Sequence, residues 1–200
     1  MVNIISSFVG SLNNPKKLAD TFNSKLNLGI SNKTIGIYLE YLENAFLIEK
    51  SLRFDIKGKK YIDTPMKYYF TDIGIRNSLL NFRQDEESHI MENIIYVELR
   101  RRGYHIDIGV VEVRDETGKR KQLEIDFIAN KGNNKLYIQS ALTTIPESKK
   151  SQEQRPLLQV KDFFKKIIIV KDSIKRKRDE NGIITMDILD FLLDTESLNY

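Results

Sequence analysis

Three acidic residues, Glu92, Glu124 and Asp126, are the best candidates for chemistry in this 200-residue sequence. Glu124 and Asp126 lie two positions apart in a segment typical of a β-strand, so their side chains share one face. Gln139 lies in the next predicted strand, about 4.8 Å away within a sheet, so these groups can converge. Converging carboxylates hold Mg²⁺, which polarises a phosphate and activates water. The alternative interpretation is that the carboxylates face solvent.

A helix and a set of strands are predicted to position these residues. The helix that carries Glu92 has Ile90, Ile94, Val97 and Arg101 along one face, which Ile95 and Leu99 widen, and it ends near Gly103. Further segments are predicted by period and composition: strands at 104–108, 110–114, 123–129, 136–142 and 167–170, a helix at 147–164 interrupted near Pro156, and a short strand and helix within 183–193. This order indicates an α+β fold whose mixed sheet is flanked by helices, as in the restriction-endonuclease-like core.

The first part of the chain has a different pattern. A helix that opens near Pro15 is predicted, and Ser31 is a suitable N-cap for a second helix. Strands at 46–50 and 61–62, joined by a polar turn at 55–60, would form a wing; a strand at 65–71 and a helix at 73–81 follow. The segment therefore predicts a winged helix-turn-helix. The alternative is a generic helical hairpin and β-hairpin packed on a neighbour.

Two units are predicted, with a boundary in the charged stretch 83–88. We call residues 1–83 the first unit and residues 84–200 the second unit. Apolar periodicity predicts core residues in both units: Leu18, Phe22, Ile35, Leu39 and Leu42 in the first, and Ile94, Leu99, Ile125, Phe127, Ile138 and residues 167–170 in the second.

Composition narrows the function classes. The chain has no cysteine, which excludes disulfides and a Cys-based zinc site, and only two histidines, so any metal is expected to be a hard cation on carboxylates. The net charge of +4 is mild and permits DNA as a partner without arguing for it. The sequence lacks a Walker A pattern, a membrane-length apolar run and a secretory signal, so we expect a cytoplasmic protein without its own ATPase activity.

Basic residues in the first unit are candidates for nucleic-acid contacts. Lys33 and Thr34 begin the second predicted helix, and Lys57, Lys59 and Lys60 lie in the predicted wing turn. Helix starts and basic turns contact phosphates in winged-helix proteins. The alternative interpretation is that these side chains belong to a solvated surface.

Five segments together resemble a known family: residues 31–43, 67–74, 92–103, 124–129 and 137–139. The chain resembles, over about residues 15–170, the C-terminal domain of unknown function that follows the ATPase in many prokaryotic AAA-type ATPases. The resemblance implies a winged-helix segment followed by a PD-(D/E)xK nuclease-like domain. It also implies that ATP binds only to an ATPase domain that this chain lacks, and that this ATPase domain is a partner.

The resemblance assigns roles at the acidic site. It implies that Glu92 is the helix carboxylate, that Asp126 is the central metal-binding aspartate, and that both are the metal ligands. The usual Glu-x-Lys falls on residues 137–139, which places Tyr137 at a carboxylate position and Gln139 at the catalytic lysine position. Glu124 is a candidate substitute ligand. Glutamine can orient a water but carries no positive charge.

A degenerate site is therefore expected, in which no Mg²⁺ binds tightly. Neighbouring donors such as Gln139 or Tyr96 would satisfy the acidic pair, or the pair would take up a proton. Three functions stay open at this point. The chain is expected to be a nucleic-acid- or partner-binding module of an AAA-type ATPase; the alternatives are a metal-dependent nuclease with an altered site and a purely protein-binding regulatory module.

Overall fold

The computed structural model describes residues 2–27, 29–83, 86–114, 117–143 and 147–199. The polar residues 115–119 also predict a turn, and residues 27–30 predict the end of the first helix. Both expectations, like the boundary at 83–84, touch residues outside these ranges. Leu18, Phe22 and Leu26 recur at spacings of four in the first predicted helix, and the side chain of Leu26 also lies outside the described part. Within the described ranges, no helix combines the length and the apolar character needed to cross a bilayer.

Seven α-helices, eight strands and one 3₁₀ helix are found in the described ranges. The helices are α1 (Val2–Ser6), α2 (Pro15–Leu26), α3 (Asn32–Asn44), α4 (Ile73–Leu79), α5 (Glu87–Arg101), α6 (Glu147–Leu158) and α7 (Ile188–Leu193), with the 3₁₀ helix at Ser197–Asn199. The strands are β1 (Ile48–Asp55), β2 (Lys60–Phe70), β3 (His105–Arg114), β4 (Arg120–Lys131), β5 (Asn134–Ala141), β6 (Lys165–Val170), β7 (Lys177–Arg178) and β8 (Ile183–Asp187).

All eight strands form one mixed sheet in the order β2-β1-β3-β4-β5-β6-β8-β7. The pairs β1/β2, β3/β4, β4/β5 and β7/β8 are antiparallel, whereas β1/β3, β5/β6 and β6/β8 are parallel. The mixed α+β class is thus confirmed. The winged helix and the nuclease-like core remain predictions.

The hairpin β1–β2 is part of this sheet, which the sequence pattern did not indicate. The two predicted strands at 61–62 and 65–71 are one strand, β2, and β1 pairs with β3 at Arg53, Phe54 and Asp55. The turn that follows β1 also contacts β3: the Ile56 amide donates to the Val110 carbonyl at 3.0 Å, and Lys57 Nζ donates to the Glu112 carbonyl at 2.9 Å. The sheet is therefore continuous across the two predicted units, and their division stays a prediction.

The predicted core is largely buried. Leu18, Phe22, Ile35 and Leu39 pack with Ile48 and Phe70 in one apolar cluster, while Leu42 is only half-buried. A second cluster lies under α5, and a third lies on the opposite face of the sheet, against α6. Residues 167–170 are fully buried, as the β-branched run predicted.

The buried face of α5 is centred on the residues that widen the predicted face. Ile94 and Val97 are half-buried, whereas Ile95 and Leu99 are fully buried. The inward face also carries Asn93, whose side chain accepts from the Phe70 amide at 2.8 Å and donates to the Phe70 carbonyl at 2.8 Å. Hydrogen bonds to the end of β2 thus fix the rotation of α5, and an apolar pattern alone does not show this.

The segment between α1 and α2 lies along the outer side of β2. The Gly10 amide donates to the Tyr68 carbonyl at 3.2 Å, and Asn13 exchanges two backbone hydrogen bonds with Met66, at 2.8 and 2.9 Å. Lys67 lies between these two contacts and, on its other side, pairs with Ser51 of β1. The backbone of Lys67 is therefore held from both sides.

Candidate functional site

A cleft of about 580 Å³ lies where the segment after α1 approaches the sheet. It is lined by residues from both predicted units: Gly10, Ser11, Leu12, Lys17 and Lys67 from the first, and Ser88, His89, Glu92, Glu124, Asp126, Gln139, Ser140, Gln152 and Glu153 from the second. All four candidate site residues of the second unit thus face one cavity. Lys67 was not among the predicted site residues.

Lys67 is the centre of the acidic cluster. Its Nζ atom lies 2.8 Å from Glu92 Oε1, 2.7 Å from Glu124 Oε1 and 4.0 Å from Asp126 Oδ1. The lysine is buried, at 4% exposure. Burial disfavours its ammonium, but Glu92, Asp126 and Glu124 outweigh this and raise the pKa of Lys67 above its usual value. The cluster therefore contains a permanent cation next to three carboxylates.

Tyr69 completes the contacts of Glu92. The Tyr69 hydroxyl donates to Glu92 Oε1 at 2.6 Å, and its ring stacks on Tyr96 with the centroids 4.1 Å apart. The expectation that Tyr96 satisfies the acidic pair is wrong, because its hydroxyl donates instead to Glu49 Oε2 at 2.9 Å. Lys67 and Tyr69 lie two positions apart on β2 and reach the same carboxylate, as the alternation of a strand allows.

Asp126 is buried at the bottom of the cleft. Its Oδ2 accepts from the Ser140 amide at 2.8 Å. Burial and then the charge of Glu92 raise the pKa of Asp126 well above its usual range, although Lys67 and the Ser140 amide act in the opposite direction. The cluster thus has more negative charge than one ammonium neutralises, and Asp126 favours a proton or a further cation.

Gln139 and Glu153 form the side of the cleft next to α6. Gln139 is 8% exposed, and its Oε1 atom is buried without a hydrogen bond to any residue that the structure describes. Burial raises the pKa of the Glu153 carboxyl, and hydrogen bonding from Gln139 offsets part of this rise. A buried amide oxygen without a donor is costly, so Gln139 has an unused acceptor at the cleft.

Tyr137 does not line the cleft, which corrects its placement at a carboxylate position of the site. Tyr137 pairs with Ile128 of β4 and packs in the apolar cluster that contains Leu157 and Ile168. Its hydroxyl donates to Asp162 Oδ2 at 2.5 Å. The side chain is large and mostly apolar, so it packs on the sheet face that α6 covers and meets a carboxylate only at its tip.

The donor set suits a hard divalent cation. Among the described residues, none donates a hydrogen bond to Glu92 Oε2, Glu124 Oε2 or Asp126 Oδ1. Carboxylate and amide oxygens are the ligands that Mg²⁺ and Ca²⁺ prefer. However, no three acidic or histidine side chains in the described ranges are already arranged to hold an ion. The chemistry of the site fits a metal, and the carboxylates would have to turn towards it.

The predicted nucleic-acid contacts of the first unit lie apart from the cleft lining. Lys33, Lys59 and Lys60 are exposed, whereas Thr34 is half-buried and its amide donates to the Ser31 hydroxyl at 3.1 Å as part of the helix cap. Lys57 is exposed, but its ammonium is bonded to the Glu112 carbonyl of β3. Lys33, Lys59 and Lys60 therefore each have an ammonium without a described partner. The nucleic-acid-binding role of all five residues stays a prediction.

Residues 1–86 match the model of a family described as Domain of unknown function (DUF8612). An uncharacterized protein of Haemophilus influenzae is 38% identical over 185 residues, which are 92% of this chain and 43% of that protein. An uncharacterized protein of Methanocaldococcus jannaschii is 36% identical over 124 residues, which are 62% of this chain and 26% of that protein. The chain thus spans less than half the length of either relative. No solved structure matches it.

Proposed function

We propose that the chain is the nucleic-acid-binding, nuclease-like part of a longer AAA-type ATPase, and that its cleft hydrolyses phosphodiester bonds with a divalent cation. The observation that carries this proposal is the convergence of Glu92, Glu124 and Asp126 with Lys67 in one cleft. Carboxylates can hold the metal ion of a metal-assisted phosphodiester cleavage, and an ammonium can stabilise the negative charge that develops on the phosphate. The length of the relatives supports a longer parent protein.

The proposal assigns roles to the carboxylates, to the Ser140 amide and to Gln139. Glu92, Glu124 and Asp126 would hold the cation, which when bound polarises the phosphate and makes a bound water more acidic. The Ser140 amide fixes one oxygen of Asp126 and leaves the other for the cation. Gln139 has an unused acceptor, which suits it to orient the attacking water. Burial of these groups strengthens their electrostatic effect on the phosphate.

The reaction is a simple displacement at phosphorus. The water oxygen forms a bond to phosphorus while the bond from phosphorus to the leaving sugar oxygen breaks. The water gives up one proton and the leaving oxygen takes up one proton. One phosphodiester and one water therefore yield a phosphomonoester and a hydroxyl group.

Contacts to the nucleic-acid backbone are assigned to the first unit. Lys33, Lys59 and Lys60 are exposed and can contact phosphates outside the cleft. These contacts compensate for the acidic cleft, which by itself repels a polyanion. Binding should therefore weaken as salt rises, because each phosphate contact releases counterions.

Cleavage assays test the proposal. The full chain is incubated with fluorescein-labelled single- and double-stranded DNA and RNA, in Mg²⁺, in Mn²⁺ and in EDTA. We expect cleavage that requires the cation and falls at least 100-fold in Asp126→Asn. Asp63→Asn is the matched control, because Asp63 is exposed on β2 and does not line the cleft. Equal cleavage by Asp126→Asn and wild type would refute the assignment of the site.

A second candidate function is binding without cleavage, as a nucleic-acid- or protein-binding module of the ATPase. It is favoured by one observation: Lys67 already neutralises Glu92 and Glu124 at 2.8 and 2.7 Å, and no metal site is preassembled in the described ranges. In that case the chain binds DNA in a salt-dependent way, or binds only protein, and cleaves none of the substrates. Fluorescence anisotropy with labelled DNA in EDTA separates DNA binding from protein binding.

A further inference from the structure

Lys67 is a cation held in place from several directions. Its backbone lies between β1 and the segment 10–13, which bonds to Met66 and Tyr68 on either side of it. Its ammonium contacts Glu92 and Glu124, and both the lysine and Glu92 are buried. A side chain fixed in this way needs little reorganisation when charge develops beside it, which is the condition for electrostatic catalysis.

The other basic side chains of the cleft are less suitable. Lys17 is exposed, and its Nζ atom donates to the Leu12 carbonyl at 3.2 Å. His89 Nδ1 lies 3.4 Å from Glu86 Oε2 at the start of α5. Gln139, which stands where the resemblance places a lysine, is neutral. Lys67 is thus the cation that lies among the three carboxylates.

We propose that Lys67 supplies the positive charge next to the reacting phosphate, so that a strand of the first unit provides the ammonium that position 139 of the second unit lacks. This inference rests on the proposed phosphodiester hydrolysis. Lys67 sits 4.0 Å from Asp126 Oδ1, an oxygen left for the cation, so its charge lies beside the group that would be attacked. Neither predicted unit alone would then contain a complete site.

The absence of native cysteine makes a direct chemical test possible. Lys67→Cys removes the ammonium, and alkylation with 2-bromoethylamine in denaturant, followed by refolding, restores it as aminoethylcysteine. We expect Lys67→Cys to lose at least 100-fold in kcat, and the aminoethylated protein to regain at least 10-fold. Lys161→Cys, treated identically, is the control, because Lys161 is exposed and does not line the cleft. Circular dichroism checks that each sample has refolded.

A second variant guards against misfolding of Lys67→Cys. This double variant, Lys67→Gln with Gln139→Lys, exchanges the lysine and the glutamine across the cleft. Its net charge equals that of the wild type. We expect this exchange to cleave at least 10-fold faster than Lys67→Gln alone. Calorimetric titration with Mn²⁺ accompanies each assay, since removal of Lys67 frees two carboxylates and should leave binding intact or tighter.

The outcomes separate this inference from the function on which it rests. If wild type cleaves and folded Lys67→Cys cleaves within 3-fold of it, Lys67 is a structural counter-ion and the inference is wrong while the function stands. The same conclusion follows if neither the aminoethylated protein nor the exchange variant regains activity despite a native fold. If wild type cleaves no substrate in either cation, the proposed function itself fails, and the inference fails with it.

Discussion

The hydroxyl of Tyr69 and the ammonium of Lys67 share one acceptor, Oε1 of Glu92, at 2.6 and 2.8 Å. Both donors come from β2, and the acceptor comes from α5, so this one oxygen joins the two predicted units. The hydroxyl and the ammonium restrain the orientation of the Glu92 carboxylate, and its remaining oxygen, Oε2, has no described hydrogen-bond donor. The contact between the units and the geometry of the site are therefore coupled.

Tyr69→Phe should lower the stability of the fold, because the substitution removes one hydrogen bond to a charged group. Hydrogen bonds of this type contribute about 1.5–3 kcal/mol. Urea denaturation monitored by circular dichroism measures the loss. Tyr41→Phe is the control, because Tyr41 is 63% exposed on α3. A loss no larger in Tyr69→Phe than in Tyr41→Phe would show that this hydrogen bond does not stabilise the fold.

Ile168→Ala should cost about 2–5 kcal/mol, the usual range for truncating a buried isoleucine to alanine. Ile168 is fully buried in β6, which lies between β5 and β8. Leu193→Ala is a suitable comparison, because Leu193 is 81% exposed and its truncation should cost little. Thermal and urea denaturation give both values. Similar costs for the two variants would contradict the central position of β6.

Glu98 should make the fold sensitive to acid. Burial disfavours its carboxylate, but hydrogen bonds from Arg101 and Arg102, both at 2.7 Å, outweigh burial and lower the pKa of Glu98. A lowered pKa in the folded state gives a stabilisation that is present above the usual carboxyl pKa, about 4.3. The stabilisation is lost as the pH falls through the lowered value.

The matching experiment compares wild type with Glu98→Gln in urea at a series of pH values. We expect wild type to be the more stable protein at pH 7, and the difference to shrink steadily below about pH 4. Glu180→Gln, on the exposed turn before β8, should show no such dependence. A wild-type advantage that grows towards low pH would reverse the assigned sign.

Gly10→Ala should affect cation binding more than it affects stability. Gly10 and Gly29 both have positive φ, at 70° and 62°, so alanine at either position is strained by about 1–2 kcal/mol. A Cβ at Gly10 would lie 3.5 Å from Glu92 Oε2, whereas nothing lies within 4 Å of one at Gly29. If the cleft binds Mn²⁺, Gly10→Ala should weaken binding and Gly29→Ala should not. Calorimetric titration distinguishes them; equal affinities of the two variants would contradict this prediction.

The local sequence pattern was enough to predict part of the acidic site. Glu124 and Asp126 line one cleft, although the register of β4 against β3 shifts between Ile125 and Ile128, and Gln139 follows on the adjacent strand of a simple hairpin. Glu92 was predicted to lie beside them because of the order of the predicted helix and strands. Glu124 and Gln139 are only 15 positions apart, which local pattern describes well, whereas Glu92 lies 32 positions before Glu124.

Lys67 was missed because neither the local pattern nor the predicted order of elements placed β2 beside the site. Its contact with Glu92 spans 25 residues, and its contact with Glu124 spans 57, across the predicted boundary. A signal was nevertheless present, because one lysine within the apolar and aromatic stretch 66–70 implies a buried charge that needs a partner. The identity of that partner depends on β1 pairing with β3, and nothing in a single sequence indicates that parallel pairing.

The pairing of β1 with β3 also determines how this protein can be divided. A fragment cut at residue 83 would keep β3 but lose the strand that covers it, exposing backbone amides and carbonyls along the central part of the sheet. Bare strands of this kind recruit other strands, and the fragment would be prone to self-association. The isolated second unit would therefore be unsuitable for biochemical work. A fragment that contains β3 should also include the hairpin β1–β2.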